Sequence, residues 1–263
     1  MYTFDYQRPG TRQAAVAAAL GEARYLAGGQ SLVQAMRLRL SSTERMVDLG
    51  GIADLQGIGV DASSVTIGAM TTHAAVAASP EVRRAIPALA DLANHIGDPS
   101  VRNMGTLGGS IANSDPAADY PAALLALGAT VQTDKRAIAA QDFFTGLYET
   151  ALQPGELVVS VSFPIPRRAA YVKHRQPASH FALVGVFVSD GPQGARVAVT
   201  GAGPFAFRAK AMEAALARQF APEALKDVAI DAGTLNSDMH GSAAYRAEMV
   251  RVMAQRAVAK ALG

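Results

Sequence analysis

The chain has 263 residues, with 24 lysines and arginines, 22 aspartates and glutamates, and no cysteine. That length can bury a substantial core and suits two or three small domains. Without cysteine the chain itself cannot hold disulfides, thiolate zinc sites or cysteine-ligated iron–sulfur clusters.

Thr11 is placed to cap a helix over Arg12–Leu20, with Gly21 as its stop. A strand over Arg24–Ala27 leads into a glycine pair, Ala27-Gly28-Gly29-Gln30-Ser31-Leu32. Ser31 then caps a short helix to Leu38, and Arg45–Leu49 reads as a strand. Paired glycines let the backbone turn tightly and approach a ligand with no Cβ in the way. Consecutive amides in such turns can converge on an anion, and a helix N-terminus just beyond favours phosphate. The spacing is not the G-x-G-x-x-G of a Rossmann fold, and Gly57-Ile58-Gly59 reads only as a turn.

From Gly59 a second unit begins. Val65–Ala69 reads as a strand. Thr71 or Thr72 caps a short helix to Ala78, and Ser79-Pro80 opens a longer one reaching His95. The stretch from Gly97 to Pro121, rich in glycine, proline and aspartate, reads as a long irregular segment. It carries a second glycine pair, Thr106-Leu107-Gly108-Gly109-Ser110-Ile111. So long an irregular stretch in a compact domain points to use. Two such turns far apart suggest a long ligand held at two points, and a dinucleotide pyrophosphate fits. Pro121–Leu127 reads as a buried helix, and Ala129–Thr133 and Leu157–Phe163 as strands.

Phe163-Pro164-Ile165-Pro166-Arg167-Arg168 marks a linker or edge. Beyond it, Phe181–Ser189 and Ala195–Gly201 form a hairpin whose loop is longer than two residues. Helices are expected over Ala209–Gln219 and Ser242–Leu262. No basic stripe interleaved with aromatics suggests nucleic acid. No apolar run reaches the ~18 residues of a membrane span. The N-terminal residues lack the pattern of a secretory signal, so the expectation is a cytoplasmic protein. The five histidines show no metal-ligand spacing.

The two glycine turns, with Thr66-Ile67-Gly68-Ala69-Met70-Thr71-Thr72-His73, Tyr171-Val172-Lys173 and Pro177-Ala178-Ser179, carry a resemblance across essentially the whole chain. It resembles the FAD-binding (medium) subunit of molybdenum hydroxylases, including carbon monoxide dehydrogenase and the flavin domain of xanthine dehydrogenase. The resemblance implies an α+β architecture. Two FAD-binding subdomains of the vanillyl-alcohol-oxidase type, residues 1–58 and 59–166, precede a small C-terminal domain with an antiparallel sheet, 167–263. It also implies partners: a large molybdopterin subunit that oxidises substrate and a small subunit with two [2Fe–2S] clusters, as a dimer of heterotrimers. The flavin subunit would take electrons from those clusters and pass them to an external acceptor.

By the same resemblance, Ala27, Gly28, Gly29, Gln30, Ser31 and Leu32 wrap the FAD pyrophosphate, and Thr106, Gly108, Gly109 and Ser110 hold it from the other side. Ile96 lines the flavin ring, Asp119 contacts the cofactor, and Val158 touches the ring or its ribityl chain. Lys173 lies near the ring, where a cation raises the flavin potential. The residues alone leave plainer readings open. Asp119 also suits a helix N-cap beside Pro121, and Lys173 an exposed lysine on an edge strand. Asp115 reads as a turn residue and His73 as structural. No acid–base residue stands out, and flavin electron transfer requires none. A stand-alone FAD oxidoreductase with its own substrate is the competing reading.

Overall fold

A computed structural model describes residues 1–263. The N-terminal unit is a small parallel sheet of β1 (Asp5–Gln7), β2 (Ala23–Leu26) and β3 (Arg45–Asp48), in the order β1-β3-β2. Parallel strands need crossovers, and α1 (Arg12–Ala18) and α2 (Leu32–Arg37) provide them. The Thr11 hydroxyl accepts from Ala14 N and opens α1 as the sequence suggests. Ser31 does not cap α2: its side chain makes no such bond. Ala15, Ala19, Val47, Ile52 and Leu55 close a small core beneath the sheet.

The second unit is antiparallel. Its strands are β4 (Ile58–Val60), β5 (Ser64–Gly68), β6 (Thr130–Thr133) and β7 (Ala137–Ala139), a ribbon of β8 (Phe144–Gly146) and β9 (Glu149–Thr150), and β10 (Val158–Pro164). The main sheet runs β4-β5-β10-β6-β7. The helices are α3 (His73–Ala78), α4 (Pro80–Ala85), α5 (Pro87–Asn94), α6 (Pro99–Met104), α7 (Leu107–Asn113), α8 (Tyr120–Leu127) and the one-turn α9 (Ala140–Phe143). Thr72, not Thr71, caps α3. The single helix expected to His95 is broken. Proline disfavours helical backbone in the residue before it, and Ile86 leaves the helix at φ −138 before Pro87 starts α5.

The stretch from Gly97 to Pro121 is not irregular. It holds α6 and α7, each opened by a capping side chain: Asp98 accepts from Val101 N, and Thr106 from Gly109 N. The second glycine pair therefore lies in the first turn of a helix, whereas the first pair lies in an open turn.

The third unit is the antiparallel sheet β11 (Arg168–Arg175), β12 (Ala182–Gly191), β13 (Gly194–Thr200) and β14 (Phe207–Arg208), in that order, with α10 (Lys210–Arg218) and α11 (Ala243–Leu262). The β12–β13 loop is shorter than expected. Gly191 pairs with Gly194, leaving only Pro192-Gln193, and Gly194 takes φ +81. All eight residues of α8 are buried. It packs under the second sheet on one side and against β12 and β13 on the other, so Tyr171, Phe187 and Ala198 join the second unit's core. A helix apolar all round belongs in such a place.

Candidate functional site

The first glycine turn sits at the carboxyl end of β2, where open α/β sheets hold ligands. The amides of Gly28, Gly29, Gln30, Ser31 and Leu32 donate to no acceptor within the protein. Gly29 takes φ +71, a left-handed conformation that costs glycine nothing. At Gly28 the reason is proximity: a Cβ there would stand 2.0 Å from Met104 O and 2.7 Å from Gly105 Cα. The first turn is thus pressed against the backbone leading into the second.

The second turn is built differently. Leu107 N donates to Thr71 O, Gly108 N to Ala69 O and Ser110 N to Thr106 O, while Gly109 N donates to the Thr106 hydroxyl. Its amides are consumed by the fold. What it offers outward is a close backbone surface and hydroxyls. A Cβ on Gly108 would lie 2.6 Å from Ala69 Cβ, and one on Gly109 3.2 Å from Ala27 Cβ. The glycines let α7 settle against β5 and the first turn.

Between the turns lies a cavity of about 450 Å³, in the range of cofactor sites. Ala27, Gly28, Gly29, Gln30, Ser31, Leu32, Ile96, Thr106, Gly108, Gly109, Ser110, Asp119 and Val158 all line it. Lys173 does not; it stands behind Asp119. The lining suits a dinucleotide: unpaired amides for a pyrophosphate, and the apolar side chains of Ile96 and Val158 for a ring.

Asp119 occupies the N-cap position of α8 but makes no capping bond. Its carboxylate turns to the third unit, where Lys173 Nζ sits 2.9 Å from Oδ1 and Tyr171 donates its hydroxyl to the same oxygen. The Asp119 and Lys173 side chains are each only 4% exposed. Lys173 is on an edge strand, yet it is not a surface lysine. Burial pushes the Asp119 carboxyl up, and the Lys173 ammonium and Tyr171 hydroxyl pull against that. Burial likewise drives Tyr171 well above the ordinary tyrosine range.

His73 is buried, lines the cavity and packs on Tyr120 with ring centroids 5.4 Å apart. Burial, aided by the charge of Arg102, lowers its pKa to about 4, so it is neutral at pH 7. Asp115 Oδ1 accepts from Ala117 N, as a turn residue does. The residues alone pointed neither to Tyr171 as a partner of Asp119 nor to Ser179, His180 and Phe181 at the cavity edge. Strand alternation held the signal for Tyr171, because residues two apart on β11 face the same side. The loop residues left none.

Residues 2–166 match the family described as the FAD binding domain in molybdopterin dehydrogenase, and residues 169–261 the CO dehydrogenase flavoprotein C-terminal domain. The chain therefore belongs to the FAD-binding medium subunits of the molybdenum hydroxylases, with FAD as its cofactor. It is 36% identical to the carbon monoxide dehydrogenase medium chain of Afipia carboxidovorans, over 98% of this chain and 96% of that one. It is 34% identical to the alpha subunit of the 6-hydroxypseudooxynicotine dehydrogenase complex of Paenarthrobacter nicotinovorans, over 92% and 87%. The structure of reconstituted CO dehydrogenase from Oligotropha carboxidovorans superposes with a TM-score of 0.91 at 35% identity, covering 99% of this chain and 98% of that one.

Proposed function

We propose that this chain is the electron relay of a molybdopterin-dependent hydroxylase, taking electrons from the [2Fe–2S] clusters of a small subunit and passing them to an external acceptor. Substrate oxidation falls to a large molybdopterin subunit. The observation that carries this reading is the first glycine turn, with five consecutive amides free to donate. They hold the pyrophosphate of FAD. Thr106, Gly108, Gly109 and Ser110 close over it through hydroxyls and close backbone contact. Ile96 and Val158 flank the ring end of the cavity, and the Asp119–Lys173 pair lies beside it. When bound, the flavin supplies the redox chemistry, and the protein supplies position and potential.

The same reading divides the chain at 1–58, 59–166 and 167–263, and places it in a cytoplasmic dimer of heterotrimers. Molar-mass measurement of the purified complex distinguishes that assembly from a single heterotrimer. A stand-alone oxidoreductase would turn over a small substrate without partner subunits.

The direct test is flavin content after reconstitution. The wild-type chain should take up one FAD and turn yellow. Gly28→Ala places a methyl against Met104 O, so it should lose FAD binding by at least about tenfold, or roughly 1.4 kcal/mol. A wild-type chain that stays colourless, or a Gly28→Ala chain that binds normally, overturns this placement.

A further inference from the structure

Beside the cavity runs a stretch of backbone, residues 95–97, whose carbonyls are each held by a side chain from another part of the chain. Lys173 Nζ donates to His95 O at 3.1 Å. Arg102 Nη1, on α6, donates to both Ile96 O and Gly97 O at 3.1 Å. His180 Nδ1, in the loop between β11 and β12, lies 3.1 Å from Gly97 O. A carbonyl only accepts, so that nitrogen carries the proton in this contact. Ile96 and Gly97 face the cavity, and so does His180.

The local sequence builds this clamp. Gly97, at φ +50, turns the chain sharply after α5. Asp98 accepts from Val101 N, Pro99 follows at the first helical position, and α6 folds back over the turn. Arg102 then lies beside the carbonyls that precede its own helix. Its side chain has no carboxylate partner; these two carbonyls are its hydrogen-bond acceptors. Arg102 does not line the FAD cavity but a separate hollow shared with Asn94, Pro99 and Asn103. The carbonyls it binds are therefore committed to a cation that lies outside the cavity lining.

We propose that Arg102 and His180 are positioning residues for the flavin. This rests on placing the ring against Ile96. Arg102 holds the negative ends of two peptide dipoles away from the ring and leaves the Ile96 side chain and the Gly97 backbone as its contact surface. A carbonyl swung inward would oppose negative charge on the ring, so the clamp also keeps the flavin potential high. His180 pins the loop that carries Ser179 and Phe181 to the mouth. Lys173 ties the same stretch to Asp119.

The test uses the full chain reconstituted with FAD and, in parallel, assembled with its partner subunits. Arg102→Met keeps the unbranched stem of the side chain and loses both bonds. It should raise the FAD dissociation constant about tenfold, alter the visible circular dichroism of the flavin and lower its midpoint potential. Arg102→Lys, which keeps the charge and offers three donors, should recover most of the loss. His180→Ala should speed FAD release several-fold while leaving the potential near wild type. If Arg102→Met fails to fold, Arg102→Gln, whose amide is shorter and uncharged, takes its place, with the same losses in affinity, dichroism and potential expected in smaller measure. Wild-type FAD affinity, dichroism and potential in Arg102→Met, or wild-type FAD release in His180→Ala, would overturn the inference. So would a loss confined to thermal stability of the FAD-free chain. If the wild-type chain itself binds no FAD, the placement of the cofactor fails first and takes the inference with it.

Discussion

Asp119 is pulled between burial and company. Alone at that depth a carboxylate would be strongly disfavoured, and Lys173 and Tyr171 make it tolerable. The pair need not add net stability, but breaking it strands a charge. Lys173→Met should therefore destabilise the chain by about 3–5 kcal/mol, read as a drop in denaturant midpoint. A loss under about 1 kcal/mol would mean the pair behaves as a surface ion pair. His73 gives a pH signature. Its folded value of about 4 lies below the unfolded 6.5, so the unfolded chain binds more protons between those values. The stability tied to neutral His73 is complete above pH 6.5 and is lost as pH falls through 4, up to roughly 3 kcal/mol. His73→Leu should flatten the fall in melting temperature between pH 7 and 5, and equal slopes in both proteins would refute the assignment. Both residues stood out in the sequence. Their environments did not, because the partners come from β11 and α8, far along the chain.

Helix boundaries show where local chemistry was legible and where it was outvoted. The caps at Thr11, Thr72 and Ser79 each followed from a hydroxyl before an apolar run. Asp98-Pro99, with a carboxylate in place of the hydroxyl, and Thr106 carry an equivalent capping signal. The glycines and prolines around them read more loudly as breakers, so α6 and α7 passed for irregular chain. The glycines of α7 answer to tertiary contact with Ala69 and Ala27, which no local rule weighs. The likeness of the two glycine turns was misleading too: acceptors 35 to 40 residues away take the amides of Leu107 and Gly108, while those of the first turn stay free. Two capping variants separate stability from binding. Ser79→Ala, at the start of α4, should cost about 1 kcal/mol and leave FAD affinity unchanged. Thr106→Ala should cost a similar amount and also weaken FAD, because the hydroxyl that caps α7 lies on the cavity wall. Equal FAD affinity in the two variants would remove Thr106 from the site.

The boundary between the family domains falls between residues 166 and 169, yet the packing does not divide there. α8 belongs by sequence to the FAD-binding region, and its apolar surface is covered on one side by β12 and β13. Ser189 Oγ donates to Ala126 O, and Thr200 Oγ1 to Pro116 O and Ala118 O. Lys260, near the end of α11, pairs with Asp91 on α5. The third unit thus completes the core beneath the cofactor site and supplies the partners of Asp119. A chain ending at residue 166 would expose Leu124, Leu125 and their neighbours and leave Asp119 buried without its cation. It should aggregate, or melt well below the full chain, and fail to hold FAD. In the full chain, residues 59–263 should unfold in one transition, because a core shared by two units cannot melt in halves. FAD should raise that transition as a whole, by mass action on the native state. Two resolved calorimetric peaks, with FAD shifting only the first, would show that the third unit stands apart and that Lys173 and Tyr171 are incidental to the site.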